Sequence, residues 1–175
     1  MSNLEEKVAK KLAANPSIKT GMLADSLGVP EADVLRAMPM GYARELSVQD
    51  LESFVTKLEN LGLVYFVTRN DACVTEIKGR FGGFSKSGPF FNVAGDALHL
   101  HLRLDRISTV FHVTPPVQNG KPTWPSLQFF QSNGTVAFKV FLIESMQREA
   151  GDDWEHSLAA LTELLAGTAQ EGTGT

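Results

Sequence analysis

The 175-residue chain has a single cysteine, Cys73. That excludes an intramolecular disulfide and any zinc or iron–sulfur centre built from the cysteines of one chain. Its neighbours Val74 and Thr75 read as strand, so Cys73 is expected to be a buried or structural thiol. An excess of positive charge is also missing: 16 Lys and Arg against 20 Asp and Glu leave a net charge of -4. Such a balance argues against attraction of the whole protein to nucleic acid or to an anionic membrane, and an anionic ligand would need a local basic patch. No apolar run approaches bilayer length, and "MSNLEEKVAKKLAANP" reads as a charged helix rather than a signal peptide, so a cytoplasmic protein is expected. Catalytic signatures are lacking as well. There is no Gly-x-Ser-x-Gly elbow, no phosphate-binding glycine loop and no His-Glu-x-x-His, and "GRFGGFSKSG" lacks the strand–turn–helix setting of a dinucleotide fingerprint.

What is present divides the chain by texture. Residues 1–61 read as a helical subdomain. Leu4, Val8 and Leu12 recur at four-residue spacing, and the turn Gly28-Val29-Pro30 separates two short helices. Ile18, Met22, Leu23, Leu27, Val34, Leu35 and Met38 are their expected buried set, in the outline of a helix-turn-helix. A further helix is predicted from an N-cap at Ser47, with Val48, Leu51, Phe54, Val55, Leu58 and Leu61 as its stripe and Gly62 as its stop.

Residues 62–145 turn β-branched, aromatic and glycine-punctuated, which predicts strands near 63–69, 72–79, 89–93, 97–104, 107–114, 124–131 and 135–143. Short links between them imply antiparallel pairing, and Asn133-Gly134 marks a hairpin. Gly79, Gly82, Gly83 and Gly88 suggest a mobile loop. A helix over 152–166, with Trp154, Leu158, Leu161 and Leu165 on one face, is expected to cover the sheet, and 167–175 reads as a disordered tail. The fold class is α+β in one domain spanning 1–166, with helices at both ends packed on a large antiparallel sheet.

The most informative stretch is "GDALHLHLRLDR", Gly95–Arg106. Period-two alternation places Leu98, Leu100, Leu102 and Leu104 on a packed face and His99, His101 and Arg103 on the face toward solvent or a cleft. Arg80, Lys78 and Lys86 lie in the segment before it. Histidine beside cations is the combination that a metal-centred anionic ligand requires, since imidazole ligates metals and guanidinium pairs with carboxylates. A zinc site on His99 and His101 is an alternative, with Asp96, Asp105 or a distant residue as a third ligand. His112 reads as a satisfied structural histidine and His156 as exposed. A DNA-binding reading of "PEADVLRAMP" is weakened by Glu31 and Asp33 at its leading end and Arg36 as its only base.

Three segments, "VLRAMP", "GFSKSGPFFNVAGDALHLHLRLDRIS" and "LQFFQSNGTVAFKVFLIE", together resemble the cytosolic haem-utilisation carriers of the HutX/ChuX family, over about Leu23 to Leu165. The resemblance implies a homodimeric haem carrier related to the two-repeat haem-trafficking proteins, passing haem to a haem-degrading partner. It implies iron ligation by His101, with His99 the competing ligand. Propionates would lie near Arg103, Arg80 and Lys86, with apolar contact from Phe84, Phe90 or Phe91. A tetrapyrrole-modifying enzyme on the same sheet is the alternative.

Overall fold

A computed structural model describes residues 2–116 and 123–168. The tail expected over 167–175 therefore lies, from Ala169 on, outside the described residues. Helix α1 (Asn3–Ala14) opens with a reciprocal cap, in which Ser2 Oγ accepts from the Glu5 N–H and the Glu5 carboxylate accepts from the Ser2 N–H. Helices α2 (Thr20–Leu27) and α3 (Glu31–Arg36) follow the predicted turn, where Gly28 takes the left-handed conformation at φ 64°. Met22 departs from its expected place and is exposed, because only Leu23 and Ala24 of that turn meet the sheet.

The part expected to be wholly helical also contributes a strand, β1 (Ala43–Leu46), which lacks the aromatic and β-branched residues that announce strands elsewhere. Helix α4 (Leu51–Thr56) is capped by Asp50 rather than Ser47: Asp50 Oδ1 accepts from the Ser53 N–H at 3.0 Å. It tightens into a 3-10 turn over Lys57–Leu61 before Gly62.

The strands that follow are β2 (Val64–Arg69), β3 (Val74–Gly79), β4 (Ser85–Ser87), β5 (Phe90–Ala94), β6 (His99–Leu102), β7 (Ile107–Val113), β8 (Ser126–Gln131) and β9 (Val136–Phe141). They form two antiparallel sheets. One has six strands in the order β1-β7-β8-β9-β2-β3, and the other has three in the order β4-β5-β6. The large antiparallel sheet of the α+β expectation is present, but β4 was not predicted and the histidine strand belongs to the smaller sheet. That strand is also shorter than 97–104, since the chain turns through a 3-10 segment at Leu104–Arg106. Helices α5 (Glu144–Glu149) and α6 (Trp154–Ala166) complete the fold.

Alternation along the strands divides the interior in two. Val110 and Phe129 belong to one cluster, and their chain neighbours Phe111 and Phe130 to the other. On one side of the large sheet, α1–α3 pack through Val8, Leu23, Val34 and Leu35. On the other, Phe66, Phe129, Phe138 and Val140 meet α4, α6 and the inner face of the small sheet, represented by Phe91, Val93 and Leu98. Phe129 stacks on Phe138 at 4.3 Å between ring centroids. Each such buried phenyl contributes about 1.5–3 kcal/mol by leaving water. Along α6 the most buried residues are Ser157, Leu161 and Leu164, with Trp154 and Leu165 packing at the margin, so the stripe is rotated slightly from the predicted one.

One buried ion pair ties the helical layer to the sheet. Lys139 Nζ lies 2.6 Å from Glu31 Oε1, and Thr20 donates its hydroxyl to the same oxygen. The leading end of α3 thus points into β9. Glu31, which as a surface residue would repel a phosphate backbone, is a packing element.

Candidate functional site on the small sheet

Of the glycines before the histidine strand, Gly79, Gly83 and Gly95 serve close packing, while Gly82 and Gly88 have open space beside them. A Cβ on Gly95 would fall 1.8 Å from the Arg80 carbonyl oxygen, and Gly83, at φ 58°, would bring one 2.6 Å from the Ala94 carbonyl oxygen. Backbone bonds run from Ala94 N–H to the Gly82 carbonyl at 2.9 Å and from Gly95 N–H to the Leu98 carbonyl at 3.0 Å. The segment expected to be a mobile loop is instead pinned across the β5–β6 hairpin, with Phe81 buried in the core beside it.

Register then decides which side chains share a face, since residues directly opposite on paired strands project the same way. Ser85 is opposite Asn92, and Asn92 is opposite His101, forming one row across the small sheet. Ser87 and Phe90 begin the next row, while Ala94 and His99 form the one on the other side. Leu98 is fully buried, and Leu100 and Leu102 pack partly buried against the core. The alternation read from the sequence holds, and His99 and His101 stand on the exposed face.

His101 is fixed by its neighbours. Its Nδ1 lies 2.7 Å from Asn92 Oδ1, and the ring meets Phe90 edge-on at 6.2 Å between centroids. Phe90 is 39% exposed, unlike the core phenylalanines. The Arg103 guanidinium sits 5.9 Å from the centre of the same ring, within cation–π range. Arg103 also forms a two-point bond with Asp105, at 2.8 and 2.6 Å. That contact holds the Asp105 carboxyl below the usual carboxylate range. The result is an imidazole, an aromatic surface and a guanidinium within one exposed patch. Such a patch offers a metal ligand, a stacking surface and an anion contact together.

Four of the residues expected here lie elsewhere. Lys86 is opposite Phe91, so it leaves the sheet on the core side, where its Nζ reaches Glu52 of α4 at 2.5 Å. Phe91 is buried, and Phe84 packs against it at 5.7 Å between centroids. Arg80 turns toward the start of α6, lying 2.6 Å from Asp152 and 3.7 Å from Asp96. The Arg80 guanidinium draws the Asp152 carboxyl below its ordinary range, helped by the Leu63 N–H and opposed by burial. Strand parity puts Lys86 and Phe91 on the core-side face of the small sheet, whereas Arg80 and Phe84 lie outside the strands and are placed by their contacts with Asp152 and Phe91.

Three further expectations are also placed. His112 is half-buried on β7, 3.2 Å from the Thr114 hydroxyl, and burial, assisted by Arg44, pushes its basicity down. His156 is exposed on α6. Cys73 is exposed rather than buried, because it precedes an edge strand in the turn closed by Asn70. Among the described residues no cluster of three His, Cys, Asp or Glu could hold a metal ion, so the zinc alternative lacks its third ligand. The residues that sequence reasoning missed are Asn92 and Ser85. Nothing in "FFNVA" distinguishes Asn92 until the strand register sets it against His101.

Two concave regions of the surface lie away from this patch. One runs between Asp50 and Leu164, the other between Leu12 and Tyr42, and neither contains a predicted site residue. The candidate site is a sheet face on which His99 and His101 are exposed.

Against this geometry stand the likenesses to known proteins. Residues 28–161 match the family described as the haemin-degrading HemS/ChuX domain. The chain belongs to the HemS/ChuX family. This HemS/ChuX domain is 26% identical over 151 residues to the intracellular haem transport protein HutX of Vibrio cholerae serotype O1, covering 85% of this chain and 77% of HutX. Among solved structures it resembles holo-PhuS, a haem-binding protein from Pseudomonas aeruginosa. There the TM-score is 0.78 at 26% identity, covering 96% of this chain and 46% of that one. It also resembles ChuS, the haem-degrading enzyme of Escherichia coli O157:H7, with a TM-score of 0.79 at 25% identity over 98% of this chain and 48% of that one. The HemS/ChuX domain described here thus spans about half the length of PhuS and ChuS.

Proposed function

We propose that this protein binds haem inside the cell and hands it on, acting as a cytoplasmic carrier that delivers haem to a haem-degrading partner. The observation that carries the reading is the open face of the small sheet, where His101 stands beside Phe90 and Arg103. Haem is a flat apolar ring with an iron at its centre and two carboxylates on its rim. His101 is the proposed iron ligand, with His99 two residues along the same face, Phe90 supports the ring, and Arg103 meets a propionate. The exposed Arg103–Asp105 pair is worth little in water, so a propionate displaces Asp105 at small cost. Lys86 and Arg80, each already paired with an acidic residue on the inner side, are not part of this proposed set. An open, single-ligand site releases its cargo readily, as a carrier must.

The family likeness supports haem as the cargo, and the 77% coverage of a protein described as an intracellular haem transporter supports transfer. The working form we propose is a homodimer. A second reading, haem degradation, is favoured by the likeness to ChuS.

Haem titration followed by the Soret band, on the wild type and on His101→Ala, tests the proposal. Expected is saturation at one haem per chain, with at least about tenfold weaker binding in the variant. Loss of an axial ligand costs no less than loss of a residue that merely orients one, which weakens metal sites about 10–100-fold. An unchanged titration in His101→Ala overturns the assignment. Adding reductant and oxygen to the complex separates the two readings: a carrier leaves the Soret band in place, and an enzyme bleaches it.

A further inference from the structure

We infer that Asn92 is a positioning residue that fixes the tautomer of His101 and so presents a free Nε2 lone pair to the cargo. The inference rests on the haem-binding reading above but names a part of the site that is set before haem arrives.

A neutral imidazole carries one proton on either nitrogen, and only the bare nitrogen can ligate a metal. Asn92 Oδ1 lies 2.7 Å from His101 Nδ1. An amide oxygen has no hydrogen to give, so the proton of that bond belongs to Nδ1, and Nε2 is left bare. Asn92 is itself oriented by the third member of the row. Its Nδ2 donates to Ser85 Oγ at 3.3 Å, which directs the amide nitrogen toward β4 and the oxygen toward β6.

Ser85, Asn92 and His101 are mutually opposite on three adjacent strands, so the ladder of the small sheet holds this hydrogen-bonded row. Phe90 meets the His101 ring from the neighbouring row and restricts its rotation about the side-chain axis. His99 is opposite Ala94, which offers no side-chain acceptor, so the same device is absent from it. This asymmetry separates two histidines that the sequence pattern leaves equivalent. Oriented acceptors behind a ligating histidine raise its affinity for metal, and their loss weakens binding by about 10–100-fold.

The test begins on the protein without haem. Long-range nitrogen–proton NMR on histidine-labelled protein should show His101 protonated on Nδ1 in the wild type. Asn92→Asp keeps an acceptor oxygen and should retain that tautomer, whereas Asn92→Leu should lose it. In haem titrations, Asn92→Leu should bind about 10–100-fold more weakly and Asn92→Asp close to wild type. Ser85→Ala, which cannot disturb the core, should fall between them. A wild-type His101 protonated on Nε2, or an Asn92→Leu variant unchanged in both tautomer and affinity, overturns the inference. The two proposals fail separately. If His101→Ala binds haem normally, the ligand assignment falls while the tautomer result stands. If His101→Ala weakens binding and Asn92→Leu does not, the positioning role alone falls.

Discussion

The two sheets of this protein use the same alternation for opposite ends. The six-stranded sheet is covered on both faces: Phe129 and Phe130, neighbours on β8, are both fully buried, one under each layer. The three-stranded sheet is covered on one face only, so that on β6 an exposed histidine alternates with a packed leucine. Polar side chains on an open face satisfy their hydrogen bonds with water and with each other, and changing them disturbs no packing. The large sheet therefore holds the fold together, and the small sheet has a face free for chemistry. The exception on the large sheet is informative. Its partly buried charge, Lys139, is matched at 2.6 Å by the buried Glu31, because an unpaired charge at that depth would be costly.

The strongest way to break this comparison is a pair of truncations. Phe129→Ala should cost about 3–5 kcal/mol, the lost transfer energy of a phenyl plus the cavity it leaves. His99→Ala, on the open face, should stay within about 0.5 kcal/mol of wild type. Equilibrium denaturation by urea measures both, and equal losses would show that the small sheet's outer face is also structural.

A smaller effect is expected at the junction between the sheets. Asp152 accepts from Arg80 at 2.6 Å and from the Leu63 N–H at 2.7 Å, so Asp152→Asn should cost about 1–3 kcal/mol at neutral pH. The sign of the pH dependence follows from the direction of its shift. The folded protein holds this carboxyl below its ordinary value of 3.8, so its contribution is complete above that pH and is lost as acid protonates it. Denaturation midpoints below pH 4 should fall less steeply in the variant than in the wild type.

The smallest effect concerns His112. Burial depresses its basicity below histidine's ordinary value of 6.5, so the unfolded chain takes up the proton first. Stability from this source is full above pH 6.5 and declines as the pH drops below it. His112→Gln should flatten the stability profile between about pH 5 and 7, by less than about 1 kcal/mol, in thermal melts across that range.

Much of this was legible in the chain. Glycine and asparagine mark the β8–β9 hairpin, where Gly134 takes φ 77°, and the leucine–histidine alternation names the exposed face that carries the candidate site. The elements that escaped are β1 and β4, whose sequences Ala-Arg-Glu-Leu and Ser-Lys-Ser carry no strand signal. Partners recruit them: β1 pairs with β7, and β4 pairs with β5. The cap at Asp50 escaped for a related reason, since Ser47 and Asp50 both suit that role and only the path of the chain selects one.

By itself the sequence determined the order of textures and the outward face of His99 and His101, because side-chain alternation is a property of the strand alone. Tertiary structure decided which residues meet on that face. Whether Lys86 joins His101 or Glu52, and whether Asn92 stands behind one histidine or the other, depends on the register between strands. A slip of one residue reverses every such answer, and register is set only when the whole core packs.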